Sequence, residues 1–104
     1  MRRQEAGEEL KMEDFRMRLP RRGEIWGLVT QLHGGARMMV HCADGKERMC
    51  RVPGKIKRRI WVKEGDYVLI VPWSVEGDSK ADIAFRYTRV QAEQLKARGI
   101  LKPF

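Results

Sequence analysis

RMMVHCADGKERMCRV, residues 37–52, is the stretch that decides the fold. In its first half Met38, Val40 and Cys42 alternate with Met39 and His41, the period-two pattern of a strand with one buried face. Ala43-Asp44-Gly45 then signals a hairpin, and a second strand follows over about 46–52. Loop length sets the register. A two-residue Asp44-Gly45 loop would put Met49 and Arg51 on the face of Val40. A three-residue loop, with Gly45 in the left-handed conformation of a bulge, puts Cys50 and Val52 there and turns Arg51 outward. Burying Arg51 without a partner is costly, so the three-residue loop is expected.

Three further strands extend from this hairpin. Upstream, residues 24–32 carry Ile25, Trp26, Val29 and Thr30, and Gly27 inside them predicts a bulge or sharp bend. His33-Gly34-Gly35 turns the chain into the hairpin. Downstream, 66–71 is almost continuously apolar (Tyr67, Val68, Leu69, Ile70, Val71), which predicts cover on both faces. Residues 80–87 alternate Ile83, Phe85 and Tyr87 against Ala84 and Arg86, and the linker 73–79 between these strands reads as polar and flexible. Between strands three and four, Ile56 and Ile60 share one face of a short helical turn. Thr88 with Gln91 forms a capping box for a C-terminal helix, and Gly99 ends it, with Leu95 and Ile100 as the expected apolar contact. Five strands with a helical segment between three and four make an all-β protein, a five-stranded OB-fold barrel with a C-terminal α-helix. The rival is an SH3-like barrel, which usually lacks that segment. The division expected is a mobile charged tail over 1–19, the barrel over 20–87, and the helix with a short tail over 88–104.

Composition narrows the function. A chain of 104 residues holds one domain with one modest core. Its longest apolar run, Val68 to Pro72, is too short to cross a bilayer, and the charged start gives no secretory signal. With only two cysteines, a cytoplasmic monomer away from membranes is expected. His33, His41, Cys42 and Cys50 lack metal-ligand spacing, and neighbouring His41 and Cys42 point to opposite faces of a strand. The cysteines read as small buried hydrophobes. No nucleophile sits in a glycine elbow and no phosphate-cradling loop occurs, so neither an enzyme nor a cofactor is expected.

Charge is concentrated. The net charge of +8 divides into −2 over residues 1–15, +9 over 16–59 and +1 over 60–104. Such a concentration repels itself unless an anion lies against it. Arg51, Lys55, Lys57, Arg58 and Arg59 follow one another without an acid, with Lys46 and Arg48 upstream, and would form a basic face across strands two and three. Trp61 either plugs the rim of the barrel or stacks on a base. The outward positions of strands two and three (Met39, His41, Met49, Arg51) hold no Phe, Tyr or Trp. This disfavours a reader of loose single strands and favours docking on folded RNA through phosphates.

Several stretches resemble translation initiation factor 1A: Arg18-Leu19-Pro20-Arg21-Arg22-Gly23-Glu24, Cys42-Ala43-Asp44-Gly45-Lys46, and Pro53-Gly54-Lys55-Ile56-Lys57-Arg58-Arg59-Ile60-Trp61-Val62. Glu64-Gly65-Asp66-Tyr67-Val68-Leu69-Ile70 and Gly77-Asp78-Ser79-Lys80-Ala81-Asp82-Ile83 do so too, and the likeness runs over about 18–101. It implies an OB-fold on the small ribosomal subunit at the decoding (A) site, in contact with its rRNA. The family promotes subunit dissociation and stabilises initiator methionyl-tRNA in the P site, so initiator tRNA is an indirect partner and other initiation factors are further candidates. The family's RNA-contacting segment falls here on Arg51, Lys55, Lys57, Arg58, Arg59 and Trp61, with Lys46 and Arg48 beside it. Read to Phe104, the chain resembles the archaeal form, without the long charged extension of the eukaryotic branch. Composition alone equally permits a constitutive ribosomal or general RNA-binding OB-fold protein.

Overall fold

A computed structural model of the chain describes residues 18–34, 36–54 and 62–104. Five strands, β1 (Ile25–Leu32), β2 (Arg37–Cys42), β3 (Glu47–Arg51), β4 (Tyr67–Pro72) and β5 (Lys80–Arg86), precede one helix, α1 (Arg89–Ala97). The strands close into a barrel in the order β1-β2-β3-β5-β4, and β4 returns to β1. Every pairing is antiparallel except β3 with β5. This is the expected OB-fold arrangement. The helical turn predicted at 55–60 and the tail up to residue 17 lie outside the described residues.

The hairpin has the predicted register. Met38 pairs Cys50 and Arg37 pairs Arg51, and Gly45 adopts a φ of 87° in a three-residue loop closed by Cys42 N–H to Lys46 O at 2.9 Å. Met38, Val40, Cys42, Cys50 and Val52 join Val29, Val68, Ile70, Ala81 and Ile83 in the barrel interior. The same register brings Arg48 opposite Val40, and this corrects the expectation of Arg48 on an exposed face. Its side chain is 3% exposed. The guanidinium grips Asp44 through both terminal nitrogens, at 3.0 and 2.9 Å, and Nε donates to Gly77 O at 2.6 Å. A buried cation is tolerable here because it is paired with a carboxylate and bonded to a carbonyl.

Gly77 belongs to the β4–β5 linker, which is a built loop and not the flexible segment expected. Trp73 N–H donates to Lys80 O, Ser79 and Lys80 N–H to Glu76 O, and Met49 N–H to Ser79 O, all within 3.0 Å. A side chain at Gly77 would strike Trp73 O at 2.4 Å. Gly27 also has a different role from the one predicted. The irregularity in β1 falls between Val29 and Gln31, and Gly27 instead gives room to Val40, whose Cγ1 would lie 2.4 Å from an added Cβ.

A second apolar cluster sits on the outside of the barrel. Val68, Leu69 and Ile70 are all fully buried, because Val68 and Ile70 face inward while Leu69 meets Ala92 and Leu95 of α1. A nine-residue helix is marginal alone, so this contact is what holds it. In β5 the predicted single-face alternation breaks. Leu69 pairs Phe85 and Ile70 pairs Ile83, leaving Ala84 as an extra residue. Ile83 therefore stays inside while Phe85 and Tyr87 join the outer cluster. The capping box at Thr88 and Gln91 is present. At the other end, Ile100 N–H reaches Leu95 O and Gly99 N–H reaches Lys96 O, the expected helix stop. Leu101 is the residue buried beside Leu95, whereas Ile100 is 43% exposed.

The described chain also begins tied down. Arg18 forms a two-pronged pair with Glu24 at 2.7 and 2.8 Å, lies over the Phe85 ring, and its carbonyl accepts from the Tyr87 hydroxyl. Arg18, inside the stretch expected as tail, is thus fastened to the outer cluster. Burial pushes the Tyr87 hydroxyl up to about 12.

Two outcomes follow for stability. Gly27→Ala should cost about 1–3 kcal/mol, read as a lower denaturation midpoint, since Val40 is enclosed and cannot move aside. The hydrogen bonds from Arg48 hold Asp44 below its usual range, and those from Arg18 do the same for Glu24. A carboxylate depressed in the folded state stabilises fully above its unfolded pKa and ceases to as pH falls through the folded one. Stability should therefore be level from neutral pH to about 5 and decline below that. Asp44→Asn should flatten the decline in urea titrations run at successive pH values.

Candidate nucleic-acid interface

The outer face of β2, β3 and β5 is assembled by register. One row across it is Arg37, Arg51 and Asp82, and the next is Met39, Met49 and Lys80. His41 faces Glu47 in a third row and pairs with it through Nδ1, and its ring stacks on Phe104 with centroids 5.9 Å apart. Period two places all these side chains outward once Met38, Val40 and Cys50 are inside.

Trp73 reaches this face from just beyond the end of β4. Its indole Nε1–H donates to Asp82 Oδ1 at 2.9 Å. The Arg51 guanidinium lies over its ring at 5.0 Å and Lys80 Nζ at 5.5 Å. Arg51 Nε donates to the same Oδ1 at 3.0 Å. The result is an indole flanked by two cations and fixed by one carboxylate, the combination of π surface and positive charge suited to nucleic acid.

The predicted site residues divide into three groups. Arg51 stands on this face with its side chain 58% exposed. Lys46 is at the hairpin tip, half exposed and paired with Asp78 at 2.8 Å, a rim pair of small energy that nevertheless draws the Asp78 carboxyl below its usual range. Arg48 is in the interior. Lys55, Lys57, Arg58, Arg59 and Trp61 lie outside the described residues, in the sequence that joins Gly54 to Val62. Trp73 and Lys80 stand on this face without being among the sequence candidates, and Arg37, which the sequence offers with residues 16–22 as the other place for a basic face, joins them. Arg37 follows from the hairpin register, and Trp73 continues the outward alternation Leu69, Val71, Trp73, so both were within reach. Lys80 depends on the β3–β5 pairing between distant segments, which leaves no local trace.

Other chemistry is sparse. Cys42 and Cys50 are free and buried, and burial pushes the Cys50 thiol up to about 12, leaving almost no reactive thiolate at neutral pH. Among the described residues no cluster of three or more His, Cys, Asp and Glu could hold a metal ion, and no helix is long and apolar enough to cross a membrane. A groove of about 550 Å³ separates α1 from the start of β4 and the end of β5. Its charges are mixed and partly self-paired: Arg86 with Asp66 at 3.8 Å, Lys96 with Glu93 at 4.0 Å, and Lys96 over Tyr67.

Comparison with known proteins agrees with this architecture. A translation initiation factor 1A from Methanothermobacter thermautotrophicus is 52% identical over 87 residues, 84% of this chain and 88% of that protein. One from Methanococcus maripaludis strain C5 is 43% identical over 98 residues, 92% and 95% of the two chains. Among solved structures, the translation initiation factor IF-1 from the Wolbachia endosymbiont of Brugia malayi superposes with a TM-score of 0.50 at 28% identity, covering 69% of this chain and 84% of that one. YjeQ from Thermotoga maritima shares the fold at a TM-score of 0.52 and 20% identity, over 64% of this chain and 23% of that one. The family model for translation initiation factor 1A / IF-1 matches residues 14–104, and the chain belongs to that family.

Proposed function

We propose that the protein binds the small ribosomal subunit at the decoding (A) site through ribosomal RNA, promotes subunit dissociation, and stabilises initiator methionyl-tRNA in the P site. The observation that carries this reading is the cationic outer face of β3 and β5, where Arg51 and Lys80 flank the Trp73 indole. In sequence it runs directly into Lys55, Lys57, Arg58, Arg59 and Trp61, four more cations and an aromatic without an intervening acid. Family membership supplies the partner: a ribosome in initiation. The chemistry is binding alone. Cations replace the counterions condensed on RNA phosphates, and the rigid barrel fixes their spacing.

Occupancy explains the three effects together. A barrel seated at the decoding site excludes an incoming tRNA there. Holding free small subunits draws the subunit equilibrium toward dissociation by mass action. Stabilisation of the initiator tRNA requires that the two bind the subunit with favourable coupling, which is reciprocal.

Binding to purified small subunits should have a steep salt dependence, with a log–log slope on the order of −4 to −6 for five to seven phosphate contacts. Replacing Lys57, Arg58 and Arg59 together by alanine should make that slope shallower by roughly three and weaken binding by orders of magnitude. The variant should melt as the wild type does. In gradient sedimentation the protein should accompany free small subunits stoichiometrically and be absent from translating ribosomes. Presence on translating ribosomes would identify a constitutive ribosomal protein instead.

A further inference from the structure

Arg37 and Arg51 are direct partners across β2 and β3 on the outer face. Like charges at facing positions of an antiparallel pair repel each other. Asp82 is partner to Arg51 on the opposite side, in β5, and pairs with it, so the row holds two guanidinium groups and one carboxylate. Arg37 is exposed, and a net positive charge remains at the row. The juxtaposition is stable against an anion and strained without one.

Arg51 is also immobilised before any ligand arrives. Its Nε is tied to Asp82 Oδ1 at 3.0 Å, and the Trp73 ring lies 5.0 Å from its guanidinium carbon. Trp73 is in turn held by the same carboxylate oxygen and by its backbone N–H to Lys80 O. The terminal nitrogens of Arg51 have no further partner among the described residues, and the side chain is more than half exposed. A guanidinium fixed at Nε still offers its terminal fork, which matches two oxygens of one phosphate. Much of the rotamer freedom that a loose arginine loses on binding is already lost here on folding.

We propose that Arg37 and Arg51 together receive one RNA phosphate on this face, and that Trp73 and Asp82 are positioning residues that aim the Arg51 fork at it. This rests on the ribosomal RNA reading above and names the chemical group the face takes.

The test measures binding of the full chain to purified small subunits across a salt series. The variants are Arg51→Lys, Trp73→Leu, their combination, Trp73→Phe and Asp82→Asn, with thermal melts as the check on folding. Arg51→Lys and Trp73→Leu should each weaken binding roughly tenfold. The salt slope should not change, because neither removes a charge. Combined, they should weaken binding no further than the worse single change, since both abolish the same aimed fork. Trp73→Phe keeps a ring beneath the guanidinium and should lose less than Trp73→Leu. Asp82→Asn is the sharpest arm: it removes a negative charge, so electrostatics alone would tighten binding, whereas loss of positioning weakens it. Additive losses in the double variant, or unchanged or tighter binding by Asp82→Asn, would overturn the proposal and leave the ribosomal reading standing. Losses on whole subunits that do not recur on protein-free small-subunit RNA would place a ribosomal protein at this face and overturn it equally. A wild-type chain that does not bind small subunits would overturn the ribosomal reading itself and this phosphate site with it.

Discussion

Much of this barrel depends on one buried cation. Arg48 points into the interior at the start of β3, where the alternation of Cys50 and Val52 puts it, and a charge there is tolerable only while it is paired. Asp44 accepts from both terminal nitrogens and Gly77 O from Nε. Those acceptors come from the two connections at that end of the barrel, the β2–β3 hairpin and the β4–β5 loop. A single guanidinium therefore joins two loops that no backbone ladder links through their tips. The β4–β5 loop in turn sets where Trp73 leaves β4 and where Lys80 enters β5. The geometry of the outer cationic face is thus inherited from an interior ion pair.

Two local irregularities let a short chain support two apolar clusters. The extra residue in β1 and the extra residue in β5 each shift the alternation of their strand by one. In β5 the shift moves Phe85 and Tyr87 from the interior to the outside, where they cover Leu69 beneath α1. The Tyr87 hydroxyl then reaches the carbonyl of Arg18 and fastens the start of the described chain to the same cluster. Cover on the outside of β4 is therefore supplied from both directions of the sequence.

The sequence was most legible where the physics is local. The hairpin register followed from the cost of burying Arg51, the helix from Thr88, Gln91 and Gly99, and the two-sided burial of β4 from its unbroken apolar run. Arg48 shows the limit of that reasoning. The register that expelled Arg51 also buried Arg48, but the partner that makes this tolerable, Gly77 O, is 29 residues away in sequence and its position cannot be inferred from spacing. The same limit hid the order in the 73–79 linker, whose fixed points lie on β3, and the role of Trp73 as the aromatic of a face to which β2 and β3 bring no Phe, Tyr or Trp. Gly27 marked a close approach and not a bend, and period two alone does not separate these.

The parallel pairing of β3 with β5 has a kinetic side. Met49 meets Lys80 and Arg51 meets Asp82 only after the whole intervening chain has been brought round, whereas β2–β3 closes through three residues. Loop-closure entropy orders such events, nearby contacts first and distant ones last. By that order the seam between β3 and β5 closes after the β2–β3 hairpin, and β1 with β4, where Ile25 meets Ile70, closes later still. Interactions absent from the folding transition state act on the unfolding rate. The two long-range seams, one of which carries the basic face, therefore bear more on the lifetime of the folded barrel than the hairpin does.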